Sequence, residues 1–208
     1  MNKISLFILC LWFLASAFGH QAWGQSRMKP NAFAFGAKAG FQATSVFNKS
    51  TVAFSPSLRP AFHIGAMANF HFGYRDEFSA GGTGLFGVQA EVLYSAQGFR
   101  SNYGDVSWGC ISIPLTARIY PIDHLSIGVG PYFSYLVHIT PDAYTVNRTS
   151  IRTADLKGSK DWGLSAGVSY QLDLGLVLDV RYNLGLIPMA ENLAWKNSVI
   201  AVSLGWLF

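Results

Sequence analysis

From residue 34 to residue 208 the chain alternates bulky apolar side chains with small or polar ones, stretch after stretch. Phe62, Ile64, Ala66, Ala68, Phe70 and Phe72 make one apolar face, and the interleaved face reads His63, Gly65, Met67, Asn69, His71, Gly73. Leu176, Leu178, Val180, Tyr182, Leu184 and Leu186 stand in the same way against Gly175, Val177, Asp179, Arg181, Asn183 and Gly185. A period of two is the signature of β-strands, whose successive side chains point to opposite faces. The pattern predicts eight strands, near 34–43, 62–73, 85–97, 108–120, 125–138, 161–173, 175–187 and 197–208. Most are longer than the usual 5–6 residues of soluble sheets and match the roughly 9–11 that a tilted strand needs to cross a bilayer. Pro114 and Pro131 each remove a ladder donor, so a bulge or local widening is expected at one of them.

Which face meets which solvent follows from chemistry. Eight strands enclose room for a modest packed core, and the Phe, Leu, Ile, Tyr and Trp of the apolar face are too bulky for it. The other face, rich in Gly, Ser, Asn and Gln, suits a cramped interior and lacks the Lys, Glu and Arg of a water-facing sheet. Charged residues are only 12% of the chain, against about 25% in soluble domains. The fold class expected is therefore all-β: an eight-stranded antiparallel transmembrane β-barrel, an up-and-down meander with a polar, filled interior. A filled bore disfavours a porin, and without a long basic run a nucleic-acid partner is not expected.

Residues 1–24 read as a signal peptide, with Lys3 before the apolar run 4–18 and Ala22-Trp23-Gly24 as the cleavage site; Ala17-Phe18-Gly19 is a second candidate. Residues 25–33 follow as a periplasmic segment, and 34–208 as the barrel domain. Cleavage leaves Cys110 as the single cysteine, a small strand residue. Tight turns at 121–124 and 173–175 contrast with longer polar connections at 44–61, 98–107, 139–160 and 188–196; the 74–84 link is long as well. An even strand count and this asymmetry put the chain ends in the periplasm and the long connections outside the cell.

Charges on the inward face need partners. Lys38, Glu91, Arg118, Asp179 and Arg181 form the expected interior network, with Glu91 paired to Arg118 and Lys38 within reach of Glu91 or Asp179. Phe72, Tyr170, Trp206 and Phe208 are expected at the periplasmic rim, and Trp162 and Tyr135 at the outer one, as interface girdles. An enzyme that modifies lipid needs a Ser/His pair near the outer leaflet. His138 with Asp142 and Ser150 is the outer cluster, His63 lies toward Ser57, and His71 and His124 fall on the periplasmic side. His63 and His71, roughly 27 Å apart along an extended strand, cannot share a metal, and no cofactor is called for.

Gly36-Ala37-Lys38-Ala39-Gly40-Phe41, Ile113-Pro114-Leu115 followed by Tyr120-Pro121, Gly128-Val129-Gly130-Pro131-Tyr132 and Asp179-Val180-Arg181-Tyr182-Asn183-Leu184-Gly185-Leu186 occur in this order. In them the chain resembles the outer-membrane β-barrel domain of the Bacteroidetes-type PorT-like proteins, over roughly residues 33–208. The resemblance implies an outer-membrane barrel exported through a cleaved signal peptide, most members having no assigned activity and the PorT type being associated with secretion and gliding. The terminal Phe208 is similar to the aromatic assembly signal of such barrels. Expected partners are outer-membrane lipid and lipopolysaccharide, the barrel assembly machinery and an unidentified protein. The leading role is a non-enzymatic structural or surface-interaction barrel; the alternatives are an accessory subunit of a PorT-like secretion or gliding system and a lipid-modifying enzyme.

Overall fold

The computed structural model of the chain describes residues 32–48, 57–72, 85–101, 104–122, 124–140, 144–146, 149–151, 159–172, 174–187 and 195–208. Eight long strands close into one barrel: β1 (Ala32–Asn48), β2 (Arg59–Phe72), β3 (Phe86–Ser101), β4 (Gly104–Ile122), β5 (Leu125–Thr140), β8 (Lys160–Gln171), β9 (Leu176–Gly185) and β10 (Trp195–Leu207). Between β5 and β8 a small hairpin, β6 (Tyr144–Val146) with β7 (Thr149–Ile151), stands apart. Around the barrel the order is β1-β10-β9-β8-β5-β4-β3-β2, every pair antiparallel, and β1 closes on β10 through a ladder from Gly36↔Leu207 to Asn48↔Trp195. Closure leaves no unpaired edge, which is what a strand protein must achieve in lipid.

The start of β1, the end of β10 and the β4–β5 and β8–β9 turns lie at one end, here the turn end; the opposite one is the loop end. The Gly175 N–H donates to the Leu172 carbonyl at 2.9 Å, closing the β8–β9 turn with Gly175 at φ 92°, a conformation glycine adopts without strain. The Gln171 N–H donates to the His124 carbonyl at 2.8 Å, tying that turn to its β4–β5 neighbour.

The strands run further than the hydrophobic pattern implies. β4 has 19 residues and β3 has 16, so the expected connection at 98–107 is mostly strand. Roughly 9–11 tilted residues cross a bilayer core, so this hairpin projects past it. Once clear of lipid, strands need no apolar outer face, and Arg100 and Asp105 pair on the exterior at 3.3 Å. At the prolines the ladder opens locally, as expected, but without a bulge. Register shifts fall between Gly109 and Cys110 and between Ile119 and Ile122, away from both Pro114 and Pro131. At the prolines the ladder is interrupted (Glu91 and Val92 opposite β4, Leu115 and Thr116 opposite β5) while register is kept.

Alternation sorts the side chains as expected. Phe35, Phe41, Phe62, Ile64, Val92, Leu115, Val129, Leu164, Val180 and Val202 are exposed outward. The interior has three zones. Met67, Val177 and Leu207 pack together toward the turn end. A charged zone follows. Toward the loop end, Val46, Phe99, Val106, Trp108, Leu136 and Val199 are buried, Phe99 and Trp108 meeting edge to face at 6.2 Å. The polar, filled interior expected from sequence is present, and toward both ends of the bore apolar side chains join it. Bare positions make room for the larger side chains: a Cβ on Gly205 would stand 2.5 Å from the Met67 Cε, and one on Gly40 2.8 Å from the His63 Cε1.

Candidate functional site in the barrel interior

Five charged side chains converge from β1, β3, β4 and β9, each between 2% and 6% exposed. Lys38 Nζ lies 3.2 Å from Glu91 Oε1 and 2.5 Å from Asp179 Oδ1. Arg181 clasps Glu91 with both terminal nitrogens, Nη1 donating to Oε2 at 2.9 Å, and its Nη2 reaches Asp179 Oδ1 at 3.4 Å. The two-nitrogen grip matches the planar guanidinium to the carboxylate. Gln89 Nε2 also donates to Glu91.

Arg118 does not pair with Glu91 as expected. Its Nη2 approaches Asp179 Oδ2 at 3.4 Å, and its Nη1 donates to Ser126 Oγ at 2.9 Å and to Ser169 Oγ at 2.8 Å. The reason is stagger. Arg118 sits opposite Gly87 on β3, four residues from Glu91, and Gly128 opposite it on β5 gives its stem space. Lys38 could be placed only within reach of Glu91 or Asp179 from sequence; the geometry brings it to both. Three cations (Lys38, Arg118, Arg181) against two carboxylates (Glu91, Asp179) leave the zone with one surplus positive charge. Above it a cavity of about 10 Å³, lined in part by Lys38, His63, Asp179, Arg181 and Asn183, has room for about one water.

A second polar cluster, nearer the loop end, was not anticipated. Asp161 opens β8 and is 3% exposed. The Tyr132 hydroxyl donates to its Oδ2 at 2.9 Å, and Asn197 Nδ2 reaches the same oxygen at 3.2 Å. Asn197 Nδ2 also donates to Gln97 Oε1 at 2.6 Å, which accepts from Trp108 Nε1 at 3.2 Å. A single chain of hydrogen bonds thus crosses the bore through β4, β3, β10, β8 and β5. The parity of β8 carries the signal for Asp161, which shares the inward face with Gly163 and Ser165.

Among the described residues the histidines and serines do not assemble into catalytic machinery. His138 faces outward and stacks on Tyr94, ring centroids 6.5 Å apart. Asp142 lies outside the described residues, and of Ser150 only the strand position is described. His63 Nε2 lies 2.8 Å from Ser203 Oγ, inside the bore, while Ser57 bridges to Arg100 by backbone hydrogen bonds. His71 Nε2 lies 2.8 Å from the Tyr120 hydroxyl. The His63–Ser203 pair is buried and has no carboxylate in its hydrogen bonds, so it lacks both substrate access and an orienting acid.

The aromatic residues singled out from sequence all face outward. Trp162 sits at the loop-end start of β8, its ring against Phe133 at 5.4 Å. Tyr170 lies at the other end of β8 beside His124, at 5.9 Å. Trp206 pairs with Ala37 and Leu176 at the turn end. The Phe208 N–H donates to the Phe35 carbonyl at 2.8 Å.

Of three similar solved structures, Neisserial surface protein A agrees with this architecture. Neisserial surface protein A is 13% identical, with 84% of this chain and 97% of that one covered, at a TM-score of 0.54. Ail, the attachment invasion locus protein of Yersinia pestis, is 13% identical over 84% of this chain and 98% of its own, at 0.49. The outer membrane protein OprG from Pseudomonas aeruginosa is 11% identical over 87% and 98%, at 0.46. Such identities concern the fold alone. No curated protein matches the chain. The family model described as "Outer membrane protein beta-barrel domain" matches residues 23–191, well over half of the sequence. The chain belongs to that family of outer-membrane β-barrels.

Proposed function

We propose that the protein is a non-enzymatic outer-membrane barrel acting as a rigid, non-conducting holder for its loop-end segments, through which it makes structural or surface contacts. The observation that carries this reading is the filled bore: a salt-bridged zone of Lys38, Glu91, Arg118, Asp179 and Arg181 between two ends lined by buried apolar side chains. A fixed network of this kind rigidifies a barrel and blocks passage. In this reading the turn end faces the periplasm and the loop end the outside of the cell, because short turns and chain ends gather on the periplasmic side of such barrels. Residues 1–24 direct export and are removed. Trp162 and Tyr170 mark the two interfaces, with Trp206 at the same end of the barrel as Tyr170. Phe208 serves recognition by the barrel assembly machinery. Lipid and lipopolysaccharide surround the apolar exterior, and an unidentified protein partner is met through the outer connections.

The finer resemblance, to Bacteroidetes PorT-like barrels, rests on the ordered motifs around Lys38, Pro114, Pro131 and Asp179. It supports a second reading as an accessory subunit of a secretion or gliding system, which would engage its partner through the periplasmic 74–84 link. Planar-bilayer recording of the purified barrel tests the main reading. The expected record has no single-channel steps; steady, reproducible steps abolished by unfolding would overturn it.

A further inference from the structure

The outer aromatic girdle is interrupted on one side of the barrel. Tyr135 and Trp162 stand outward on β5 and β8, and one circuit of the strand register returns from Tyr135 to Leu125. Spread over eight strands, that stagger brings Pro60 on β2, Ala43 and Ser45 on β1 and Ser198 on β10 to the level of the two rings. These are small side chains, and the gap they leave is a groove of about 690 Å³, lined by Phe41, Ala43, Leu58, Pro60, Ala61 and Ile200 among others. Ligand sites typically measure about 300–1,000 Å³. Its walls face the lipid, Phe41 being 81% and Leu58 58% exposed. Just past Ala43↔Ile200 toward the loop end the outer face turns polar, first at Ser45↔Ser198 and then at Lys196, opposite Phe47. Lys196 makes no ion pair with the described residues. An apolar groove therefore ends at the hydrocarbon boundary beneath an uncompensated cation.

We infer that this groove holds an acyl chain of one lipopolysaccharide molecule, with a phosphate of its head group on Lys196. The inference rests on the reading above that the loop end faces the outside of the cell, where the outer leaflet supplies that lipid. A second barrel is convex and rigid and cannot enter a concave groove, whereas a hydrocarbon chain can lie along it. Apolar contact alone gives no net drive in a membrane, because the competing tails are equally apolar. The groove adds dispersion contacts on several sides of one chain, and Lys196 adds attraction to an anionic head. Ser45, between the two, offers a hydroxyl to the ester or amide oxygens where the chain joins its sugar. Bulky residues at this level of β5 and β8 deny a chain the same approach.

Native mass spectrometry of the full barrel, delipidated in detergent and given either bisphosphorylated lipid A or phosphatidylglycerol, provides the test. One lipid A should stay on each barrel, and phosphatidylglycerol should be held more weakly. Ala43→Phe, which fills the groove, should abolish the adduct. Lys196→Gln should weaken it about fivefold, the worth of one cation near an anionic surface. A wild-type barrel without the adduct overturns the site, as does an Ala43→Phe barrel that keeps it. Equal retention of phosphatidylglycerol overturns the choice of lipopolysaccharide, and a paired barrel in place of the adduct shows a second copy on this face and overturns it too. Should Ala43→Phe fail to fold, Phe41→Ala at the exposed wall decides: it must weaken retention, and unchanged retention refutes the site. Labelling of Arg100→Cys on intact cells with an impermeant maleimide separates the two readings. A labelled barrel that binds no lipid A refutes the groove alone, whereas an unlabelled one refutes the orientation and the outer-leaflet lipid with it.

Discussion

Glu91→Gln is the perturbation that reports most on the charged zone. The amide is nearly isosteric, so the change is electrostatic. It removes the negative charge gripped by both Arg181 nitrogens and Lys38 and turns one of the two accepting oxygens into a donor. The zone then holds three cations against one carboxylate, and its surplus rises from one positive charge to two. Breaking a buried ion pair by removing one partner costs about 3–5 kcal/mol, a loss of roughly two to almost four orders of magnitude in the folding constant. Lys38→Met removes a cation instead, leaving two guanidiniums against two carboxylates, and should cost clearly less. The double variant, with two cations against one carboxylate, returns the surplus to one and should recover at least about 1.5 kcal/mol relative to the sum of the single changes. Urea unfolding in lipid vesicles, followed by tryptophan fluorescence and gel mobility together, measures all three. A Glu91→Gln barrel within about 1 kcal/mol of wild type, or strict additivity in the double variant, would refute the account of a coupled network.

Three further outcomes are expected. Gly205→Ala should destabilise the barrel by about 1–3 kcal/mol through overpacking, because its methyl meets the Met67 side chain; adding Met67→Ala should restore much of the loss in the same unfolding assay. Val180→Arg, on the exposed outer face of β9, should cost about 2–4 kcal/mol in vesicles if it lies near the bilayer midplane, and far less in a wide detergent micelle. Removing Phe208 should slow insertion by purified assembly machinery more than it slows unassisted refolding into detergent, which a paired time course of gel mobility would resolve.

The staves were legible because lipid outside and a cramped bore inside impose opposite chemistry on alternate residues. Among the described barrel strands from Phe35 to Phe208, parity alone assigns nearly every side chain to its face. That logic loses force at four places. The strand over 98–107 was hidden because a hairpin clear of lipid is free to carry Arg100 and Asp105 outward. The partner of Arg118 was misjudged because parity says which face a charge is on and not how neighbouring strands are staggered; across the barrel that stagger decides which carboxylate is met. Asp161 was passed over because its partners, Tyr132 and Asn197, lie 29 and 36 residues away on other strands. The inward place of Phe99 was missed for a related reason: it reads as part of a polar connection, whereas the extended strand brings it against Trp108 inside.

The claim on which all else rests is a closed barrel seated in the outer membrane with its apolar staves toward lipid. Gel migration of the expressed chain, boiled and unboiled, together with fractionation of the cell envelope, tests it most directly. The account predicts recovery in the outer-membrane fraction and a faster-running unboiled band that boiling converts to the position of the unfolded chain. Recovery in the soluble fraction with identical migration in both lanes would contradict it.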